Sequence, residues 1–388
     1  MNIDGTCDPR FNPVRDAFRE NFASRGELGA AVAVTIDGKT VVDLWGGVAD
    51  LVSGRPWMHD TLVVVFSCTK AATALCAHLL VARGELDLDA PVARYWPEFA
   101  AADKETIPVR MLLNHRSGVA AIDEPLPVGA LYDLATMTAA LAAQAPHWEP
   151  GSAHGYHAVT FGWLVGEVVR RISGKSLGAF FRDEVAGPLG LDFWIGLPET
   201  FTARVAPVRM APLTGETTPI LLAMADRSTL TSKAFMNPPG LMTARQVNAR
   251  AFHAAEVQAA NGVATARALA GMYTPLACGG HRGAVELVDR DTLRAMATVE
   301  SAGDDRVLLI PTRFAAGFMK TIDNRPRDSA ILGPNPAAFG HGGAGGSLGM
   351  ADPTARVAIG YVMNQLGTGV LLNARGQTLV DTVYDCMG

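Results

Sequence analysis

Lysine is scarce in this chain: Lys39, Lys70, Lys104, Lys175, Lys233 and Lys320 are the whole complement in 388 residues. Lysine and arginine form no run and are not interleaved with aromatics, and the formal net charge is −5, so a nucleic-acid partner is not expected. Long apolar runs are missing too. No segment approaches about 18 uninterrupted apolar residues, so no membrane partner is expected. The opening MNIDGTCDPRFNPVRDAF carries acids and prolines where an export signal has its apolar stretch. Cys7, Cys68, Cys76, Cys278 and Cys386 are odd in number, with no C-x-x-C pair, which argues against a disulfide frame or a zinc site. These absences lead to the expectation of a cytoplasmic protein with reduced thiols.

What is present is core-forming sequence. Hydrophobic residues make up 49% of the chain and charged residues 18%, which rules out a disordered class. The length suits one large or two closely packed domains. An amphipathic helix is expected from about Val14 to Arg25. Asp37-Gly38, between two β-branched runs, predicts a tight hairpin. TLVVVFS reads as a strand ending at Ser67, and from Cys68 to Arg83 apolar residues recur at helical spacing up to a stop at Gly84. The middle reads as helices and loops, with a Pro/Thr/Met-rich stretch from Arg204 to Gly240 expected to form part of a pocket wall. Strands return in TRFAAGFMKT and ARVAIGYVMN on either side of the glycine-rich FGHGGAGGSLGMADP, and a helix closes the chain. Strands at both ends around a helical middle predict an α+β protein: an antiparallel sheet from 1–85 and 285–388, with a mainly helical unit over 86–284.

Two serines compete for the role of nucleophile. In Ser67-Cys68-Thr69-Lys70 the serine and lysine lie three apart, on one face if a helix starts there. A neutral amine could then take the serine proton, provided burial depresses its ordinary pKa of about 10.4. The plainer alternative makes Ser67 a helix cap and Lys70 a solvated first-turn residue, and the tetrad alone does not separate the two. The rival is G-x-S-x-G over Gly345–Gly349, the pattern of a nucleophile elbow. An elbow needs a strand before it and a helix after it, with a histidine later in the chain. Here GPNPAAFGHGGAG precedes, MADPTARVAIG follows, and no histidine follows Ser347. That serine reads as part of a turn. Tyr156, in a glycine-containing turn before VTFGWLVGEVVRR, is a candidate proton partner for Ser67 and Lys70, although composition alone does not choose it among six tyrosines.

These stretches together carry a resemblance. Ser67-x-x-Lys70, LLNHRSGV (Leu112 to Val119), EPG…YHA before a helix, and HGGAGGS between two late strands occur in the order and spacing of serine β-lactamase-like hydrolases. The chain resembles the class C β-lactamase and penicillin-binding-protein superfamily, and within it most of all the family VIII carboxylesterases. The resemblance implies a β-lactamase/transpeptidase-like fold with the active site between its two units. It implies Ser67 as the acylated nucleophile, Lys70 and Tyr156 as general acid/base, and an oxyanion hole from the backbone N–H groups of Ser67 and Ala344. His341, Gly342 and Gly343 stand at the third motif as substrate-binding candidates, with His157 and Phe66 as further pocket candidates. No metal or organic cofactor is implied, and the partner is a small ester. The oligomeric state is not legible.

Two departures from the superfamily pattern bear on substrate. Ala158 replaces the asparagine of Y-x-N that contacts a β-lactam side chain, and His341 replaces the lysine of K-T-G that helps hold its carboxylate. Both point toward short, uncharged esters, with weak β-lactam hydrolysis left open by the intact nucleophile and base. Acyltransferase, amidase, D-aminopeptidase and β-lactamase chemistry are the alternatives within the superfamily. A catalytically silent binding or scaffold protein is a further one, disfavoured because Ser67, Lys70 and Tyr156 are all present.

Overall fold

The structure, a computed structural model, describes residues 2–210, 218–241, 243–324, 331–369 and 371–388. The strands used below are β1 (Ile3–Cys7), β2 (Gly29–Ile36), β3 (Lys39–Asp50), β4 (Ser301–Asp304), β5 (Pro311–Phe314), β6 (Met319–Lys320), β7 (Phe339–Gly342), β8 (Leu348–Asp352) and β9 (Val357–Met363). They form an antiparallel sheet in the order β1-β3-β2-β9-β8-β7-β6-β5-β4, with Arg55–Pro56 paired on β3. The β2–β9 pairing, Ile36 against Val357 through Ala30 against Met363, joins the two ends of the chain in mid-sheet. The expected α+β class is what is found.

The helices that matter to the site are α1 (Asn12–Ser24), α2 (Cys68–Ala82), α3 (Thr160–Ser173), α4 (Ala266–Ala277) and α5 (Ala374–Asp385). Asp37 and Gly38 between β2 and β3 have φ of 50° and 77°, the doubly left-handed turn that Asp-Gly favours. Successive residues of a strand face opposite sides of the sheet, and β9 shows what covers each side. A Cβ on Gly360 would sit 2.2 Å from Ala266 O in α4, whereas the next residue, Tyr361, lies beside Gly376 of α5. Helices therefore cover both faces.

Three elements differ from the sequence expectation. The glycine-rich segment is not a loop between strands: it supplies β7 and β8, two central strands. Its glycines are there for close approach, since a Cβ on Gly349, the register partner of Gly360, would lie 2.5 Å from the Tyr273 ring in α4. TLVVVFS contributes only Val63–Val64 as strand, and these pair with Val263–Ala264 in a separate three-stranded sheet that includes Phe193–Trp194. TRFAAGFMKT turns at Ala315–Phe318 and gives two strands, β5 and β6, rather than one.

The regular elements within 86–284 are mainly short helices, and α4 among them packs on the sheet. Of the Arg204–Gly240 stretch, 211–217 lie outside the described residues, and the remainder includes helices Pro219–Ala225 and Leu230–Met236. Thr231 donates to Val307 O at 2.8 Å, and Asn237 Nδ2 donates to Ile122 O and Glu124 O at 2.8 Å each, tying this stretch to two loops. Among the described residues no helix is long and apolar enough to cross a membrane.

Candidate active site

Helix α2 is the post on which the site is built. Every residue from Cys68 to Leu80 is buried, so the helix is wrapped on all sides rather than amphipathic. Phe66, just before it, takes φ +46°, a left-handed conformation that costs a bulky residue of order 1–3 kcal/mol. Thr69 holds it there, because both the Thr69 N–H (2.9 Å) and its hydroxyl (2.5 Å) donate to Phe66 O. The kink sets Ser67 at the first turn of α2 with φ −65° and ψ −8°. Ser67 occupies the cap position, yet its side chain makes no capping hydrogen bond and stays free for other work.

Lys70 is not solvated; its exposure is 0%. Its Nζ lies 2.7 Å from Ala158 O, 3.0 Å from Ala259 O and 3.2 Å from Ser67 Oγ. Among the described residues no carboxylate pairs with it, and burial holds the amine well below its ordinary pKa of 10.5. A neutral amine has two hydrogens and one lone pair. The two carbonyls take the hydrogens, so the lone pair is left for the Ser67 hydroxyl. Neither alanine was identifiable from sequence as a partner, since each contributes a carbonyl that any residue carries.

Tyr156 is buried, with Lys70 Nζ 4.7 Å from its ring centroid. Burial raises its pKa above the usual 10, so the phenol keeps its proton. Asp305 fixes the turn: its carboxylate accepts the Tyr156 N–H at 3.0 and 3.1 Å and the Val307 and Leu308 N–H groups at 2.8 Å each. Asp305 was missed at the sequence level, as nothing in GDDRVLLIP connects it with Tyr156. His115, with φ +63°, stands behind the tyrosine at a ring distance of 5.1 Å and accepts the His157 N–H on Nδ1 at 3.1 Å.

The third-motif segment lies against the start of α2. Cys68 Sγ donates to His341 O at 3.2 Å, and Ser347 Oγ donates to Val65 O at the same distance. Ser347 is 1% exposed and spends its hydroxyl on this tie, so the G-x-S-x-G serine is a turn fastener. Gly343 has to be glycine here, because a Cβ would come within 2.3 Å of both Ser347 Oγ and Val65 O. The Ser67 and Ala344 N–H groups donate to no acceptor among the described residues, as an oxyanion hole requires.

The remaining candidates divide. His341 is 2% exposed and its ring centroid lies 6.0 Å from that of Tyr156. Phe66 is 7% exposed and contributes its backbone conformation. His157 departs from expectation: it is fully buried, with Nε2 on Ser117 Oγ and Nδ1 on Gly155 O, both at 2.8 Å, leaving no ring nitrogen for a substrate. A cavity of about 420 Å³ between β2, β3 and α4, lined by Asp43, His59, Asp192 and Arg267 among others, includes none of these residues.

A family model described as Beta-lactamase matches residues 14–382. The chain belongs to the beta-lactamase family. It is a serine hydrolase of that superfamily. Esterase/beta-lactamase LipL of Mycobacterium tuberculosis is 38% identical over 367 residues, covering 93% of this chain and 83% of LipL. The crystal structure of a family VIII carboxylesterase superposes with a TM-score of 0.90 at 40% identity, covering all of both chains. EstA from Arthrobacter nitroguajacolicus gives 0.88 at 32% identity over 100% of this chain and 99% of its own.

Proposed function

We propose that this protein is a carboxylesterase that cleaves short, uncharged esters through an acyl-enzyme on Ser67. The observation carrying this reading is the placement of the Lys70 amine, whose hydrogens are taken by two carbonyls while its lone pair remains for Ser67 Oγ. In the proposed sequence Ser67 Oγ attacks the ester carbonyl carbon and its proton passes to Lys70. The oxyanion is held by the Ser67 and Ala344 N–H groups. As the C–O bond breaks, the leaving alkoxide takes the Tyr156 proton, and Lys70 returns its proton to Tyr156. Water then attacks the acyl carbon, giving its proton to the same pair, and Ser67 leaves with a proton restored.

The preference for uncharged esters rests on Ala158 and His341. Ala158 offers a methyl group in place of an amide, and its carbonyl is already bound to Lys70. Burial and the nearby Lys70 push the His341 pKa to about 3, so this histidine supplies no positive charge for a carboxylate. The name of LipL couples esterase with β-lactamase, and slow β-lactam turnover is consistent with the same nucleophile. Intact-mass measurement after a fluorophosphonate probe tests the assignment. Wild type and Ser347→Ala should gain one adduct and Ser67→Ala none, whereas labelling that persists in Ser67→Ala sinks the reading. Nitrocefin turnover as fast as that of the best p-nitrophenyl ester would overturn the substrate class.

A further inference from the structure

His341 carries an unanswered hydrogen-bonding atom. Its Nδ1 lies 2.7 Å from Gly342 O, a carbonyl that can only accept, so Nδ1 bears the ring proton and Nε2 is a bare lone pair. That Nε2 is buried and has no partner among the described residues. A buried acceptor without a donor costs about 1–3 kcal/mol and is ordinarily answered by something that binds.

The surroundings indicate which part of a substrate would answer it. The His341 ring stands 6.0 Å from the Tyr156 ring, and Lys70 Nζ, 3.2 Å from Ser67 Oγ, lies 4.7 Å from that tyrosine ring. If Tyr156 hands its proton to the departing oxygen, the alcohol half of the ester lies along Tyr156 and His341. The two hydrogens of the neutral Lys70 amine are already engaged by Ala158 O and Ala259 O, so they do not answer Nε2. We propose that His341 Nε2 accepts a hydrogen bond from a second hydroxyl on the alcohol portion of the ester, making glycol- and glycerol-type monoesters the favoured class over simple alkyl esters. This rests on the esterase reading above and adds the alcohol half to it.

A matched pair tests the idea: 2-hydroxyethyl butyrate and propyl butyrate differ by a terminal hydroxyl in place of a methyl. Wild type should prefer the hydroxyethyl ester in kcat/KM by about 10-fold or more, the size of one buried hydrogen bond left unmade. In His341→Phe the ratio should fall to about 1, and in His341→Gln, whose amide oxygen accepts, part of it should return. A wild-type ratio near 1 overturns the inference without any variant. A ratio unchanged in His341→Phe also overturns it, assigning Nε2 to a water. If neither ester is cleaved although Ser67 takes the fluorophosphonate, the esterase reading itself fails.

Discussion

Lys70 Nζ stands 3.2 Å from Ser67 Oγ while donating to Ala158 O and Ala259 O, so the amine is oriented before any substrate arrives. Lys70→Met keeps the bulk and removes the proposed base. The expected loss in kcat/KM on a p-nitrophenyl ester is about 10²–10⁴-fold, the usual range for a general base. Loss of less than tenfold would assign the proton to another group. Steady-state kinetics alongside the circular-dichroism spectrum separates this from misfolding.

The same lysine sets a pH dependence. Its pKa in the folded protein lies well below 10.5 through burial, so the active neutral form persists far below that pH and is lost as pH falls through the depressed value. The acid limb of kcat/KM should therefore sit well under pH 10. Stability follows the same sign: between the folded pKa and 10.5 the unfolded chain binds more protons, so stability rises with pH across that window. Urea denaturation of wild type and Lys70→Met at several pH values checks this, the variant being expected to show the flatter profile.

Gly343→Ala places a methyl where Ser347 Oγ and Val65 O each stand at 2.3 Å. The turn carrying the Ala344 N–H has to shift, and with it one of the two proposed oxyanion donors. The expected effect is about a 10²-fold fall in kcat with a smaller change in KM. Equal loss in both parameters would point to a blocked cleft instead.

Arg375→Met leaves the Glu27 carboxylate buried without its guanidinium, a contact of 2.8 Å between side chains that are 6% and 0% exposed. Removing one partner of such a pair costs about 3–5 kcal/mol. Denaturant midpoints should drop accordingly, and Glu27→Leu in the same chain should recover much of the loss.

Legibility in the sequence followed whether a feature depends on a side chain or on the backbone. Asp37-Gly38, the α2 stop at Gly84 (φ +72°) and the Ser67–Lys70 spacing were readable because each needs particular residue types. The carbonyls of Ala158 and Ala259 were not, since every residue has one. Asp305 was hidden for another reason: it reaches Tyr156 across 149 positions, and no local pattern records that. The central strands β7 and β8 read as loop because glycine is the signature of turns. Here Gly340, Gly349 and Gly360 serve close packing, a demand visible only once α4 and the neighbouring strand are in place.

The pairing of β2 with β9 also has a consequence for how the protein is made. β2 leaves the ribosome about 320 residues before its inner neighbour exists. At roughly 5–20 residues per second that interval is on the order of 15–60 s. Through it the edge formed by Gly29–Ile36, rich in alanine and valine, has no mate, and α2 and its serine have no β7 to lean on. Translation must run nearly to the last helix before Ser67 can acquire the turn proposed to hold its oxyanion, so nascent chains stalled short of Met363 should be inactive and dependent on chaperones.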